Sequence, residues 1–117
     1  MIKDANVTVM VSNLDNAVKF YTEILGLKLL FLAKDNWATI SAPGLTIGLH
    51  PASEHGPKPG NSESLSIGLG VEDLAKSMEE LKKRGVVFSH VLDDTQVRIA
   101  FFTDPDNNPL YLSQTVK

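Results

Sequence analysis

Three histidines, two well-placed aromatic rings and one strand arginine are the groups in this sequence with chemistry to offer. His50 ends an apolar segment over 45–50 and is followed by Pro51. A neutral imidazole titrates near working pH, so His50 is a candidate for hydrogen bonding or proton transfer at a pocket, or else a plain strand-end histidine beside a loop. His50, Glu54 and His55 together offer nitrogen and carboxylate oxygen to a metal, on a loop with no helix to align them. His90 stands alone in a predicted strand and reads as structural. Trp37 and Tyr111 offer flat surfaces for stacking a planar or apolar ligand, with ordinary core packing as the alternative. Arg98 lies in the strand before DPDNNP, where it would hold an anionic group or point to solvent on the other face. Asp104 and Asp106 are close carboxylates, but the Pro and Asn residues around them mark turn formers, and Asp93-Asp94 reads likewise.

Several chemistries are excluded by composition. No cysteine occurs in the chain, which removes disulfides, thiolate metal sites and a cysteine nucleophile. No Gly-rich phosphate loop follows a strand, and no serine has His and Asp companions in a nucleophile elbow. The net charge is −3 and the pI near 5.5, with no basic stripe to neutralise phosphates, so no nucleic-acid partner is expected. No apolar run approaches the ~20 residues of a membrane helix, so no membrane partner is expected either. The beginning of the chain carries Asp4 and no signal-peptide apolar block, and the expected location is cytoplasmic.

The elements that must position these groups follow from periodicity. Residues 6–11 alternate as a strand, with Val7, Val9 and Val11 on one face. Ser12 or Asn13 caps a helix, and Leu14, Ala17, Val18, Tyr21, Ile24 and Leu25 recur at helical spacing. Gly26 supplies the left-handed stop. Strands are predicted over 27–33, 37–41 and 45–50, with Pro43-Gly44 as a turn. Residues 51–64, rich in Pro, Gly and Ser, form a loop or linker. A second series follows: a strand over 65–71, an Asp73-capped helix ending at Gly85, and strands over 86–92, 96–103 and 110–114.

The two series are copies. Val11-Ser12-Asn13-Leu14 matches Val71-Glu72-Asp73-Leu74. Gly26-Leu27 matches Gly85-Val86, with one residue lost inside the second helix. Ile47-Gly48-Leu49 matches Leu110-Tyr111-Leu112. At 117 residues the chain is expected to be one domain, with module 1 over about 1–58 and module 2 over about 64–117. Each module has an amphipathic helix and strands with one apolar face, which must be buried against each other.

With those residues in place, the segments VSNLDNAVKFYTEILGL, VEDLAKSMEELKKRGV and FFTDPDNNPLYL resemble the vicinal oxygen chelate superfamily. That group includes glyoxalase I, fosfomycin and bleomycin resistance proteins, and extradiol dioxygenases. The resemblance implies an α+β fold of two βαβββ modules forming a glyoxalase/bleomycin-resistance-like open barrel around a small-molecule pocket. It also implies a homodimer. Relatives often hold a divalent metal on the first and last strands of each module. The matching positions here are Asn6 and Ser66, each seven before the helix-cap Asn13 or Asp73, with Gly48 and Tyr111 on the last strands. A metal of this class wants imidazole nitrogen or carboxylate oxygen. Asn and Ser are neutral, weak donors, Gly has no side chain, and a Tyr hydroxyl keeps its proton to about pH 10. No metal or other cofactor is therefore expected at the usual place.

If those positions face the pocket, their neighbours two away do as well. That adds Thr8 and Met10, Thr46 and His50, Gly68 and Gly70, and Ser113. Thr8 matches a position beside the metal and substrate in fosfomycin-resistance-like relatives. Gly48, Gly68 and Gly70 leave space for a ligand, or let strands curve and admit large side chains from the other half. The ligand-binding candidates are Asn6, Thr8, Trp37, Gly48, His50, Ser66, Gly68, Arg98 and Tyr111. The expected function is metal-independent binding or sequestration of a drug or metabolite. The alternatives are a lyase, transferase or dioxygenase-like enzyme using a displaced metal or His50 and Tyr111 as acid–base groups, and a fold retained for protein interaction.

Overall fold

A computed structural model describes residues 1–94 and 96–115. They form two compact units that divide between Asn61 and Ser62.

In the first unit the alternating valines form β1 (Val7–Val11). Asn13 then caps α1 (Leu14–Lys19), its Oδ1 accepting from the Asn16 N–H at 2.9 Å. This satisfies one of the free donors of the first turn. The helix continues as a π-helical turn, Phe20–Ile24, in which the Leu25 N–H donates to the Phe20 carbonyl at 2.9 Å. That wide turn absorbs the residue by which the first module exceeds the second between cap and glycine. Gly26 ends it at φ +78°, a conformation that L side chains avoid. Three strands follow in a meander: β2 (Lys28–Ala33), β3 (Trp37–Ala42) and β4 (Leu45–Pro51). The sheet order is β1-β4-β3-β2, with β4 returning parallel to β1.

The second unit repeats the order: β5 (Ile67–Gly70), α2 (Leu74–Lys83), β6 (His90–Asp93), β7 (Val97–Thr103) and β8 (Pro109–Thr115). Its sheet runs β5-β8-β7-β6, again with one parallel pair. Asp73 caps α2 by accepting from the Lys76 N–H at 3.0 Å. Gln114 supplies a further cap from the last strand, its Oε1 accepting from the Leu74 N–H at 2.7 Å. The Asp104 carboxylate is buried at 3% exposure and accepts from the N–H groups of Asp106 and Asn108 and from Asn108 Nδ2, all at 2.9 Å. The DPDNNP segment is thus a turn tied to its own aspartate.

Two strands are shorter than periodicity predicts. The strand expected over 86–92 begins at His90. Val86 turns back so that its N–H closes the helix on the Leu81 carbonyl at 3.0 Å, and Val87 is 82% exposed. The strand expected over 65–71 begins at Ile67, leaving Leu65 exposed.

Each helix covers one face of its own sheet. In the first unit α1 lies on β3 and β4, with Leu14, Ala17, Phe20 and Tyr21 buried alongside Val9, Val11, Ile40, Ile47 and Leu49. In the second, α2 lies on β7 and β8, with Leu74 and Leu81 buried alongside Ala100, Phe102, Leu110 and Leu112. This burial of apolar area is what drives each unit to form. Strand alternation sends the remaining side chains to the opposite, helix-free face.

Candidate functional site

The helix-free faces gather most of the candidate residues. In the first unit the register sets Thr8 beside Gly48, Gly48 beside Thr39, and Thr39 beside Phe31. The next row on the same face pairs Met10 with His50. Trp37, at the start of β3, lays its ring over Gly48, where a Cβ would overlap the far end of the indole. Its Nε1–H donates to Thr39 Oγ1 at 2.7 Å, which holds the ring in place. The ring also meets His50 edge-on, with centroids 6.2 Å apart.

His50 is exposed, and its Nδ1 lies 2.7 Å from the Pro51 carbonyl oxygen. A carbonyl only accepts, so Nδ1 carries the proton and Nε2 of the neutral ring keeps its lone pair. In that neutral form His50 offers an acceptor beside the indole. Among the described residues no three His, Asp or Glu side chains come together to hold a metal ion, so His50, Glu54 and His55 do not converge.

In the second unit the matching row is Gly68, Tyr111, Phe101 and His90, neighbours across β5, β8, β7 and β6. The Tyr111 ring lies over Gly68 just as Trp37 lies over Gly48. Phe101 and Tyr111 are 6.0 Å apart between centroids, and His90 stacks on Phe101 at 5.8 Å with planes 26° apart. These spacings suit aromatic pairs. Gly48 and Gly68 thus make room for rings of their own sheets. Phe101 and the site-facing placement of His90 escape a reading by residue type. The signal for Phe101 is the DPDNNP turn, which sets the β7–β8 register and so puts Phe101 opposite Tyr111, while His90 is placed by the β6–β7 register.

The other candidates lie elsewhere. Asn6 precedes β1 and lines a shallow hollow of about 320 Å³ with Ala5, Val7, Gly44, Leu45 and Thr46. Ser66 is exposed just before β5. Arg98 shares its strand face with the buried Ala100 and Phe102, away from Tyr111. Its Nε lies 3.3 Å from Asp93 Oδ1, its register partner's carboxylate. It lines a hollow of about 440 Å³ between α2, β6 and β7, so it does not join the rings.

A divalent metal does not fit these residues. Gly48 is roofed by indole and Tyr111 is laid over Gly68. Asn6 and Ser66 offer neutral oxygens from outside the strands. No imidazole or carboxylate stands at any of the four positions, and hard divalent ions need such donors. What the faces can do is stack flat rings and exchange hydrogen bonds through Thr8, Ser113 and His50.

Comparison with known proteins comes to the same architecture. The family model described as Glyoxalase/Bleomycin resistance protein/Dioxygenase superfamily matches residues 5–112. The chain is 31% identical to the uncharacterized protein YurT of Bacillus subtilis (strain 168), over 92% of this chain and 94% of that one. A crystal structure of a member of the same superfamily from Sphaerobacter thermophilus DSM 20745 superposes with a TM-score of 0.79 at 27% identity, covering 97% of this chain and 98% of that one. TnmS3, an antibiotic binding protein from Streptomyces sp. CB03234, superposes with a TM-score of 0.73 at 27% identity, covering 99% and 100%.

Proposed function

The chain belongs to the Glyoxalase/Bleomycin resistance protein/Dioxygenase superfamily, and from that membership we propose that it binds and sequesters a small molecule without a catalytic metal. The observation that carries this reading is the use made of the metal positions. Gly48 lies under a ring, Tyr111 is itself a ring, and no carboxylate stands beside either on the helix-free faces. A surface of rings and hydroxyls, lacking the donors of a Lewis-acid centre, binds by stacking and neutral hydrogen bonds. The likeness to an antibiotic binding protein supports the same reading. The protein acts as a homodimer in the cytoplasm in this proposal. The exposed apolar side chains of the edge strand β2, with Leu30 at 55% and Phe31 at 58%, are the kind of surface that needs a partner.

The test is a thermal-shift screen of purified protein against antibiotics and aromatic metabolites, with elemental analysis of the same sample. A ligand that binds only the native state stabilises it by about 2.7 kcal/mol at 100 times its Kd. Trp37, the sole tryptophan, reports binding by fluorescence on the first face. One tightly bound divalent ion per chain, lost with catalytic turnover on chelation, would sink the binding-only reading. So would the failure of every compound to shift the melting transition.

A further inference from the structure

Helix α2 rests on β7 and β8, in the middle of its sheet, and leaves the helix side of the edge strand β6 open. The gap is the hollow of about 440 Å³, lined by Ala75, Met78, Glu79 and Lys82 of α2, Val91 of β6 and Arg98 of β7. Its volume is that of a small-ligand site. The four helix residues fall at i, i+3, i+4 and i+7, so they present one stripe. Register puts Val91 beside the buried Ala100, on the face that α2 packs against, yet Val91 is 42% exposed. Ala75, Met78 and Val91 give the hollow apolar walls.

The charged groups around it are not balanced. Glu79 is the one carboxylate in the lining, and its Oε1 lies 3.9 Å from Lys83 Nζ. Lys82 forms no ion pair among the described residues. Arg98 has Asp93 beside it, with Nε 3.3 Å from Oδ1, but that carboxylate side chain is 65% exposed, so the pair is screened and weak. Nor do the two meet in hydrogen-bonding geometry. Nε is closed off from solvent and has no acceptor among the described residues. A buried donor left without an acceptor is uncommon and costly. A guanidinium is shaped to take a carboxylate on two parallel bonds. This one can turn its fork toward the hollow without breaking any hydrogen bond from Nε.

We infer that this hollow is a binding site for a small monocarboxylic acid with an apolar body. The carboxylate pairs with Arg98 and Lys82, and the body lies on Ala75, Met78 and Val91. The site is on the helix side of its sheet, separate from the helix-free faces, so it stands or falls apart from the reading above.

Isothermal titration calorimetry of the whole chain with 2-naphthoate is the test, and 2-naphthamide, its uncharged counterpart, is the control. The acid is expected to bind saturably, and the amide about tenfold more weakly or not at all. Arg98→Met keeps the stem and removes the fork, and should raise Kd for the acid by about tenfold or more. Its melting temperature should stay near that of wild type, because Nε makes no hydrogen bond to lose. Lys82→Met, on the exposed side of α2, should weaken binding by about threefold. Should Arg98→Met fail to fold, Arg98→Lys, which keeps the charge and loses the fork, carries the same test with a smaller loss. No saturable binding of 2-naphthoate, equal affinity for acid and amide, or equal affinity of wild type and the Arg98 and Lys82 variants each overturns the site. In all three cases a screened compound that stabilises wild type and Arg98→Met alike keeps the helix-free reading standing.

Discussion

Gly48→Ala tests the central geometric claim, that the first module's last strand lacks a side chain because an indole lies over it. The added methyl would overlap the far end of the Trp37 ring. The ring can swing away only by giving up the bond from Nε1 to Thr39 Oγ1 and part of its contact with the sheet. Loss of a half-buried hydrogen bond costs about 0.5–1.5 kcal/mol. Overpacking in a well-packed site costs about 1–3 kcal/mol. Against these stands the gain of roughly 0.5–1 kcal/mol from replacing a strand glycine with alanine. The net expectation is a destabilisation of about 1–2 kcal/mol. Trp37→Ala removes the obstacle, so in that background Gly48→Ala should stabilise by the same roughly 0.5–1 kcal/mol. The double-mutant cycle should show coupling of about 1.5–3 kcal/mol, well above the 0.3–0.5 kcal/mol scatter of independent sites. Urea unfolding followed by far-UV circular dichroism reads all four proteins, since Trp37 fluorescence is lost in two of them. Additivity within that scatter, or a Gly48→Ala protein as stable as wild type, would show that the indole does not rest on Gly48.

Asp104→Ala leaves three donors around a buried site without their acceptor, and should destabilise by about 2–4 kcal/mol in the same assay. Asp104→Asn keeps an acceptor oxygen and should cost less. Asp73→Ala removes the cap on α2 and should cost about 1 kcal/mol. Gln114→Ala strips the Leu74 N–H of its acceptor and should cost about 1 kcal/mol, whereas Gln114→Glu, which keeps an acceptor there, should cost less. Chelation with EDTA followed by dialysis should leave the melting temperature and ligand affinity unchanged, because the positions Asn6, Gly48, Ser66 and Tyr111 carry no imidazole or carboxylate. A fall in either would point to a metal held by other residues.

Much of the architecture is written in short-range patterns. The caps at Asn13 and Asp73, the stops at Gly26 and Gly85, and the turn at DPDNNP each depend on residues a few positions apart, so they are legible without coordinates. The duplicated modules are legible for the same reason. Even the extra residue of the first module is visible as a count, although its form as a π-helical turn is not. The faces of the strands follow from alternation, which sets Thr8, Gly48 and His50 in the first unit, and Gly68 and Tyr111 in the second, on the face away from the helix.

Alternation says which side a residue points to, and nothing about which neighbour its ring comes to rest on. That depends on the register of strands distant in sequence and on the space each leaves. Gly48, Gly68 and Gly70 look alike as letters. Only the packed sheets separate the two that lie beneath Trp37 and Tyr111 from the one that lies open. Residue type leaves Arg98 either to hold an anionic group or to point to solvent, and register sets it beside Asp93 on the helix side. His90 looked structural by its isolation, and register stacks it on Phe101. Local chemistry thus determines the elements and their faces. The identity of the site comes from long-range register and from which ring fills which gap, since these are properties of strands meeting and of no single segment.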